Sequence, residues 1–168
     1  TPAPTVRSDN SVGQGIGRHC WSALAIRKVR SETNLAGAGG FIGGHLAKNL
    51  LEEGHDVVCA DQKPLVDWFQ INEDCENYSL DLKDYDNCLK VTKNVEYIYN
   101  MACNMGGMGF IENNKAECMQ SVLINTNLLI ACRENKVKKY FFSSSACAYN
   151  ISLQQKTFIE GLREEDAY

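Results

Sequence analysis

The stretch "GAGGFIGGHLAKNLLEEGHDVVCAD", residues 37–61, decides how the chain is read. Gly37, Gly40 and Gly43 stand in a G-x-x-G-x-x-G spacing, and Gly39 adds a G-x-G. Ile42, Leu46 and Leu50 follow at i, i+4 and i+8, so the glycines open an amphipathic helix. The unpaired N–H groups and the positive dipole end of such a helix face whatever sits on the turn. "DVVCAD" (56–61) is a short apolar strand ending in an acid, and Asp61 comes 21 residues after Gly40. A tight glycine turn, a helix start and an acid at the end of the next strand form the spacing that holds a dinucleotide. The pyrophosphate lies over the glycines and a ribose hydroxyl pair on the acid. An acid at that point favours NAD over NADP, whose extra phosphate it repels.

Outward from this stretch, short strands and helices alternate. "YSLDL" (78–82) reads as a weak strand and "KDYDNCLKVTKN" (83–94) as a short helix with Tyr85 and Leu89 on one side. "VEYIYNMA" (95–102) is a β-branched and aromatic strand, residues 111–136 a long helix, and "VKKYFFSSSA" (137–146) another strand. Alternation of this kind implies parallel strands with right-handed crossover helices. One element is missing: "VRSETNLA" before Gly37 holds charges and no apolar run, so the first strand is not recognisable. The fold expected is α/β, a Rossmann-like doubly wound parallel sheet.

Residues 1–33 differ from the rest. Arg7, Arg18, Arg27, Lys28 and Arg30 face only Asp9 and Glu32, a balance of +3, and nothing is periodic. The division expected is a basic, disordered or foreign extension over 1–33 and a partial NAD-binding domain over 34–168.

The whole chain of 168 residues has a formal net charge of -4 and is 44% hydrophobic, which excludes a disordered chain and a general affinity for nucleic acid or acidic membranes. Its 8 cysteines include no C-x-x-C pair, and the nearest two, Cys75 and Cys88, are 13 apart. Structural zinc sites bring ligands in close pairs, so no metal is expected and the thiols read as small hydrophobes in a reducing cytoplasm.

Two strand ends carry further candidates. "NMACNMGGMGF" (100–110) and "SSSACAY" (143–149) stand at carboxyl ends of parallel strands, where ligands bind. Asp81 is placed either to bond an adenine edge or to cap the next helix. Cys147 reads on its own as a buried thiol and Ser145 as a turn former.

With the glycine motif, these two runs resemble the extended short-chain dehydrogenase/reductase family of nucleotide-sugar epimerases and dehydratases. The likeness covers residues 36–168, and the double-Met loop and the Cys of "SSAC" are much narrower signals than the glycines. The resemblance implies an NAD-dependent isomerase in full length, with GDP-mannose as substrate and a homodimeric assembly. A hydride leaves C4 of the sugar, protons exchange at C3 and C5, and the hydride returns. It implies cofactor contacts at Gly37, Gly40, Phe41, Ile42, Gly43, Asp61, Asp81, Leu82 and Ala102. It implies sugar contacts at Gly106, Ser145, Ala146 and Cys147, with Cys147 exchanging protons and Ser145 bonding the C4 oxygen. In that setting the glycines of the loop permit close approach, and Met105, Met108 and Phe110 supply adaptable apolar walls.

The departures are equally specific. No Tyr-x-x-x-Lys occurs: Tyr149 has Leu153 four residues on, and the chain given stops at Tyr168. Asn150 stands where a proline usually follows "SACxY". Against the resemblance only the N-terminal part of the fold is present and the C-terminal substrate domain is absent, so the fragment alone is expected to be inactive. A UDP-sugar 4-epimerase, which usually carries Thr in place of Cys147, and a non-catalytic dinucleotide-binding module are the alternatives.

Overall fold

The computed structural model describes residues 31–104, 106–145, 148–153 and 161–167. The strands are β1 (Glu32–Ala36), β2 (Asp56–Asp61), β3 (Glu76–Ser79), β4 (Tyr97–Asn100) and β5 (Lys139–Phe142). The helices are α1 (Phe41–Glu52), α2 (Tyr85–Val91), α3 (Met108–Asn113) and α4 (Lys115–Glu134). All strand pairs are parallel, in the order β3-β2-β1-β4-β5. The chain winds outward from β1 in one direction to β3 and in the other to β5, so the order reverses between β1 and β4.

Alternation along the strands sets the two faces. Leu35, Val57 and Cys59 pack with Ala47 and Leu50 of α1 on one face. Ala36 and Ala60 pack with Cys88 and Val91 of α2 and with Ile124, Leu128 and Ala131 of α4 on the other.

The strand that the sequence does not reveal is present. β1 is "ETNLA", and it is the central member of the sheet. It includes Glu32 and Thr33, which a division at residue 34 leaves in the extension; residues 1–30 lie outside the described residues. Thr33, Asn34, Leu35 and Ala36 are all buried. Pairing with β2 on one side and β4 on the other satisfies the backbone and overrides weak strand propensity. Asn34 Nδ2 donates to the Val58 carbonyl at 3.2 Å, while its Oδ1 has no partner.

Three further readings are corrected. On α1 the buried face is Gly43, Ala47 and Leu50, whereas Ile42 is 66% exposed. β3 ends at Ser79, not Leu82, because Asp81 folds its carboxylate back onto Lys83 N at 2.9 Å and turns the chain. The stretch 111–136 is two helices, broken at Asn114 (φ −126, ψ 44). Asn113 and Asn114 donate to the Gly109 and Phe110 carbonyls, and such side-chain bonds compete with the helical ladder.

Candidate functional site

The carboxyl ends of β1 and β4 part at the reversal of strand order and leave a crevice. Gly37, directly after β1, has φ +86, and a Cβ there would lie 2.7 Å from the Met101 carbonyl carbon. Its own N–H and that of Ala38 both donate to the Ala60 carbonyl, at 2.8 and 3.2 Å. Gly43, one turn into α1, has no room for a Cβ because the Gly37 carbonyl stands in its place. The turn and the helix are therefore packed backbone on backbone, which only glycine allows.

Gly40 is the N-cap of α1, which has no side-chain cap and no acid in its first turn. The first N–H groups of a helix have no intrahelical acceptor, so this end presents free donors and positive dipole to the crevice.

Asp61 faces the same turn. Its Oδ2 accepts from Gly39 N and its Oδ1 from Lys63 N, each at 3.0 Å. Trp68 closes over this corner: its indole Nε1 donates to the Lys63 carbonyl at 3.0 Å, and Phe69 N donates to the Gly39 carbonyl at 3.1 Å. These contacts fix the acid's orientation relative to the glycine turn. Single-residue reading misses Trp68 because its role depends on a loop folding back across the strand end.

A cavity of about 550 Å³ runs along the strand ends. All nine of the cofactor candidates named from the sequence line it. So do Cys103, Ser143 and Ser144, from the two strand-end runs read in the sequence, and Lys63, Lys83 and Gln120, which the sequence does not single out. Asp81 sits at the end beyond Asp61, beside Leu80 and Leu82.

The β4 and β5 ends are held together from below. Asn100, buried, donates from Nδ2 to Tyr140 Oη at 2.8 Å and to Asn125 Oδ1 at 3.3 Å, and its Oδ1 accepts from Ala102 N at 3.0 Å. Tyr140 Oη donates in turn to Asn125 Oδ1 at 2.7 Å. Burial pushes the Tyr140 phenol far above its ordinary range, so it stays neutral. Ser143 donates from N and Oγ to the Asn100 carbonyl, both at 3.2 Å. Asn104 N donates to Ser121 Oγ of α4 at 2.9 Å. Cys103 is exposed at the cavity wall, and desolvation raises its thiol.

The sugar-side candidates are less gathered. Gly106 is exposed and lies against Phe110, whose Cβ would stand 2.7 Å from a Cβ on it; it does not line the cavity. Ser145 is exposed just past Ser143 and Ser144, and its carbonyl accepts from Ala148 N at 3.0 Å. Ala146, Cys147 and Met105 lie outside the described residues, and the Met108 side chain does too. Half of the methionine–glycine run is helix rather than loop, because α3 begins at Met108 with Gly107 as its N-cap.

A doubly wound parallel sheet with this glycine turn and acid is the architecture of a nucleotide-dependent enzyme domain, and the chain belongs to the NAD dependent epimerase/dehydratase family, which it matches over residues 34–167. Within it, the chain is 43% identical over 169 residues to GDP-mannose 3,5-epimerase 1 of Oryza sativa subsp. indica, covering 96% of this chain and 44% of that protein. It is 41% identical over 164 residues to GDP-mannose 3,5-epimerase of Arabidopsis thaliana, covering 93% and 43%. The chain thus spans less than half the length of the curated relatives it matches. Among solved structures, MoeE5 in complex with UDP-glucose and NAD superposes with a TM-score of 0.61 at 26% identity, over 71% of this chain and 38% of that one.

Proposed function

We propose that the chain is the NAD-binding part of a GDP-mannose 3,5-epimerase. The observation that carries this is the joined geometry of an uncapped α1 N-terminus, a glycine turn without room for side chains, and an oriented Asp61 along one crevice. The residues fit a dinucleotide: free helix donors suit a pyrophosphate, and a carboxylate that keeps lone pairs beyond its two backbone bonds suits ribose hydroxyls.

NAD, when bound, supplies an acceptor and donor of hydride for C4 of the sugar. The chain's own groups do the rest. Phe41, Ile42 and Gly43 present their N–H groups to the pyrophosphate. Asp61 accepts from the adenosine ribose, and Asp81 and Leu82 border the base. Gly106, Ser145 and Ala146 border the sugar. Ser145 bonds the C4 oxygen, and Cys147 takes and returns a proton on the carbons made acidic beside the C4 ketone. A thiol has a reference pKa of ~8.5, nearer neutrality than serine or lysine, which suits it to that exchange. The narrower choice of GDP-mannose over a UDP-sugar rests on the 43% relative and on Cys147 in place of threonine. Its assembly in full length is a homodimer, and it works in the cytoplasm; among the described residues no helix is long and apolar enough to cross a membrane.

The test is solvent exchange. The whole protein, incubated with GDP-mannose and NAD in deuterated water, should incorporate deuterium at C3 and C5. Cys147→Ala should bind both molecules yet lose exchange at the carbon it serves, by roughly 10²–10⁴ in rate. Inversion at C4 without solvent deuterium would replace this reading with a simple 4-epimerase. NAD binding with no sugar chemistry would replace it with a binding module.

A further inference from the structure

The adenosine end of the crevice holds an ion pair that the proposed reaction does not use. Asp81 is fixed at its backbone, where its carbonyl accepts from Asn87 Nδ2 at 2.9 Å and from Asp84 N at 3.2 Å. Its carboxylate is fixed separately by one residue. Lys83 N donates to Asp81 Oδ1 at 2.9 Å, and Lys83 Nζ lies 3.3 Å from Asp81 Oδ2. Lys83 is in turn tied to α4 at two points: its Nζ donates to Gln120 Oε1 at 3.3 Å, and its carbonyl accepts from Asn127 Nδ2 at 2.8 Å. Asp81, Lys83 and Gln120 all line the cavity, next to the apolar surfaces of Leu80, Leu82 and Ile124.

We propose that Lys83 is a positioning residue that pins the Asp81 carboxylate as an acceptor for the 6-amino group of the purine, and so sets a preference for adenine over a 6-oxo purine. This rests on the reading of the cavity as an NAD site.

The chemistry is one of donors and acceptors. Ionised Asp81 accepts only, and four lone-pair sites serve its two oxygens. Lys83 takes one site on each oxygen, which leaves acceptors for an exocyclic amine lying between the apolar walls. A carbonyl at the same position of the base would meet a carboxylate, acceptor against acceptor, with neither group satisfied. A carboxylate free to turn about its last bond escapes that clash at little cost, because this torsion is broad. One held at both oxygens does not. Discrimination therefore depends on the clamp as well as on the acid, and specificity here comes as much from the rejected base as from the accepted one.

The experiment measures two affinities by calorimetry on the whole protein: NAD, and nicotinamide hypoxanthine dinucleotide, which carries a carbonyl in place of the amine. The wild type should favour NAD by about tenfold or more, the worth of one charge-assisted bond. Lys83→Met keeps the aliphatic stem and should shrink that ratio to about threefold or less. Lys83→Arg, which keeps the cation, should restore most of it. Gln120→Leu, which releases only the far end of the lysine, should fall between. A ratio unchanged in Lys83→Met, with both dinucleotides weakened by the same factor, would reduce Lys83 to a structural role and overturn the proposal. So would a wild type without preference between them. Failure of the wild type to bind NAD at all would instead remove the cofactor reading itself, a separate and visible outcome.

Discussion

Asp61 is the residue on which the proposed cofactor site turns. Its two oxygens are already used by Gly39 N and Lys63 N, so it is oriented before any ligand arrives. Preorganisation of this kind removes an ordering cost from binding. Asp61→Ala should weaken NAD by about 1–3 kcal/mol in a titration, the worth of a lost charge-assisted bond. Asp61→Asn keeps an acceptor for one backbone amide but loses the charge, and should fall between the two. Equal affinity in all three proteins would show that the ribose lies elsewhere. The place of Asp61 at the end of β2, beside the glycine turn, was legible in the sequence because it follows from a spacing along the chain, 21 residues from Gly40. Trp68, Lys83 and Asn100 were not, because each acts through a partner that only the folded sheet brings near: the Lys63 carbonyl, Gln120 of α4, and Tyr140 of β5.

At the scale of elements the sequence spoke clearly for β2, which spans the expected 56–61, and misled for β1. "ETNLA" has neither the apolar run of a strand buried on both faces nor the alternation of a half-buried one, and pairing from two neighbours decides its state instead. The exception in the strand is Asn34, 0% exposed, with one amide bond and an Oδ1 left without a partner. A buried acceptor with no donor costs about 1–3 kcal/mol. Asn34→Val should therefore raise stability by about 1 kcal/mol, read as a higher midpoint in urea with the slope unchanged. A lower midpoint would mean that the bond to the Val58 carbonyl outweighs the unpaired oxygen. The same logic explains the break in the long helix. Periodicity ran through residues 111–136, but the local bonds of Asn113 and Asn114 to the preceding turn are invisible to a periodicity count.

Among the described residues Cys59, Cys75, Cys88 and Cys132 are buried, whereas Cys103 is exposed and Cys118 half-buried. Burial of thiols makes stability depend on pH. Desolvation raises Cys132 from 9.0 to about 11, and desolvation with the charges of Asp84, Cys132 and Asp81 raises Cys88 to about 12. In both the folded value exceeds the unfolded one, so the stabilisation is complete below about pH 9 and is lost as the pH climbs toward 11 and 12. The unfolded chain sheds these protons first, and each thiol should cost about 2 kcal/mol of stability at pH 11. Lysines and tyrosines titrate in the same range, so the informative quantity is the difference between variants. Cys132→Ala should be less stable than the wild type at pH 7, because it leaves a small cavity under α4. Its stability should then fall more gently with pH, and the gap between the two proteins should narrow by about 2 kcal/mol between pH 8 and pH 11. Parallel curves would mean that Cys132 ionises as readily in the folded sheet as in the open chain, and that the packing of α4 against β4 and β5 does not keep water from the thiol.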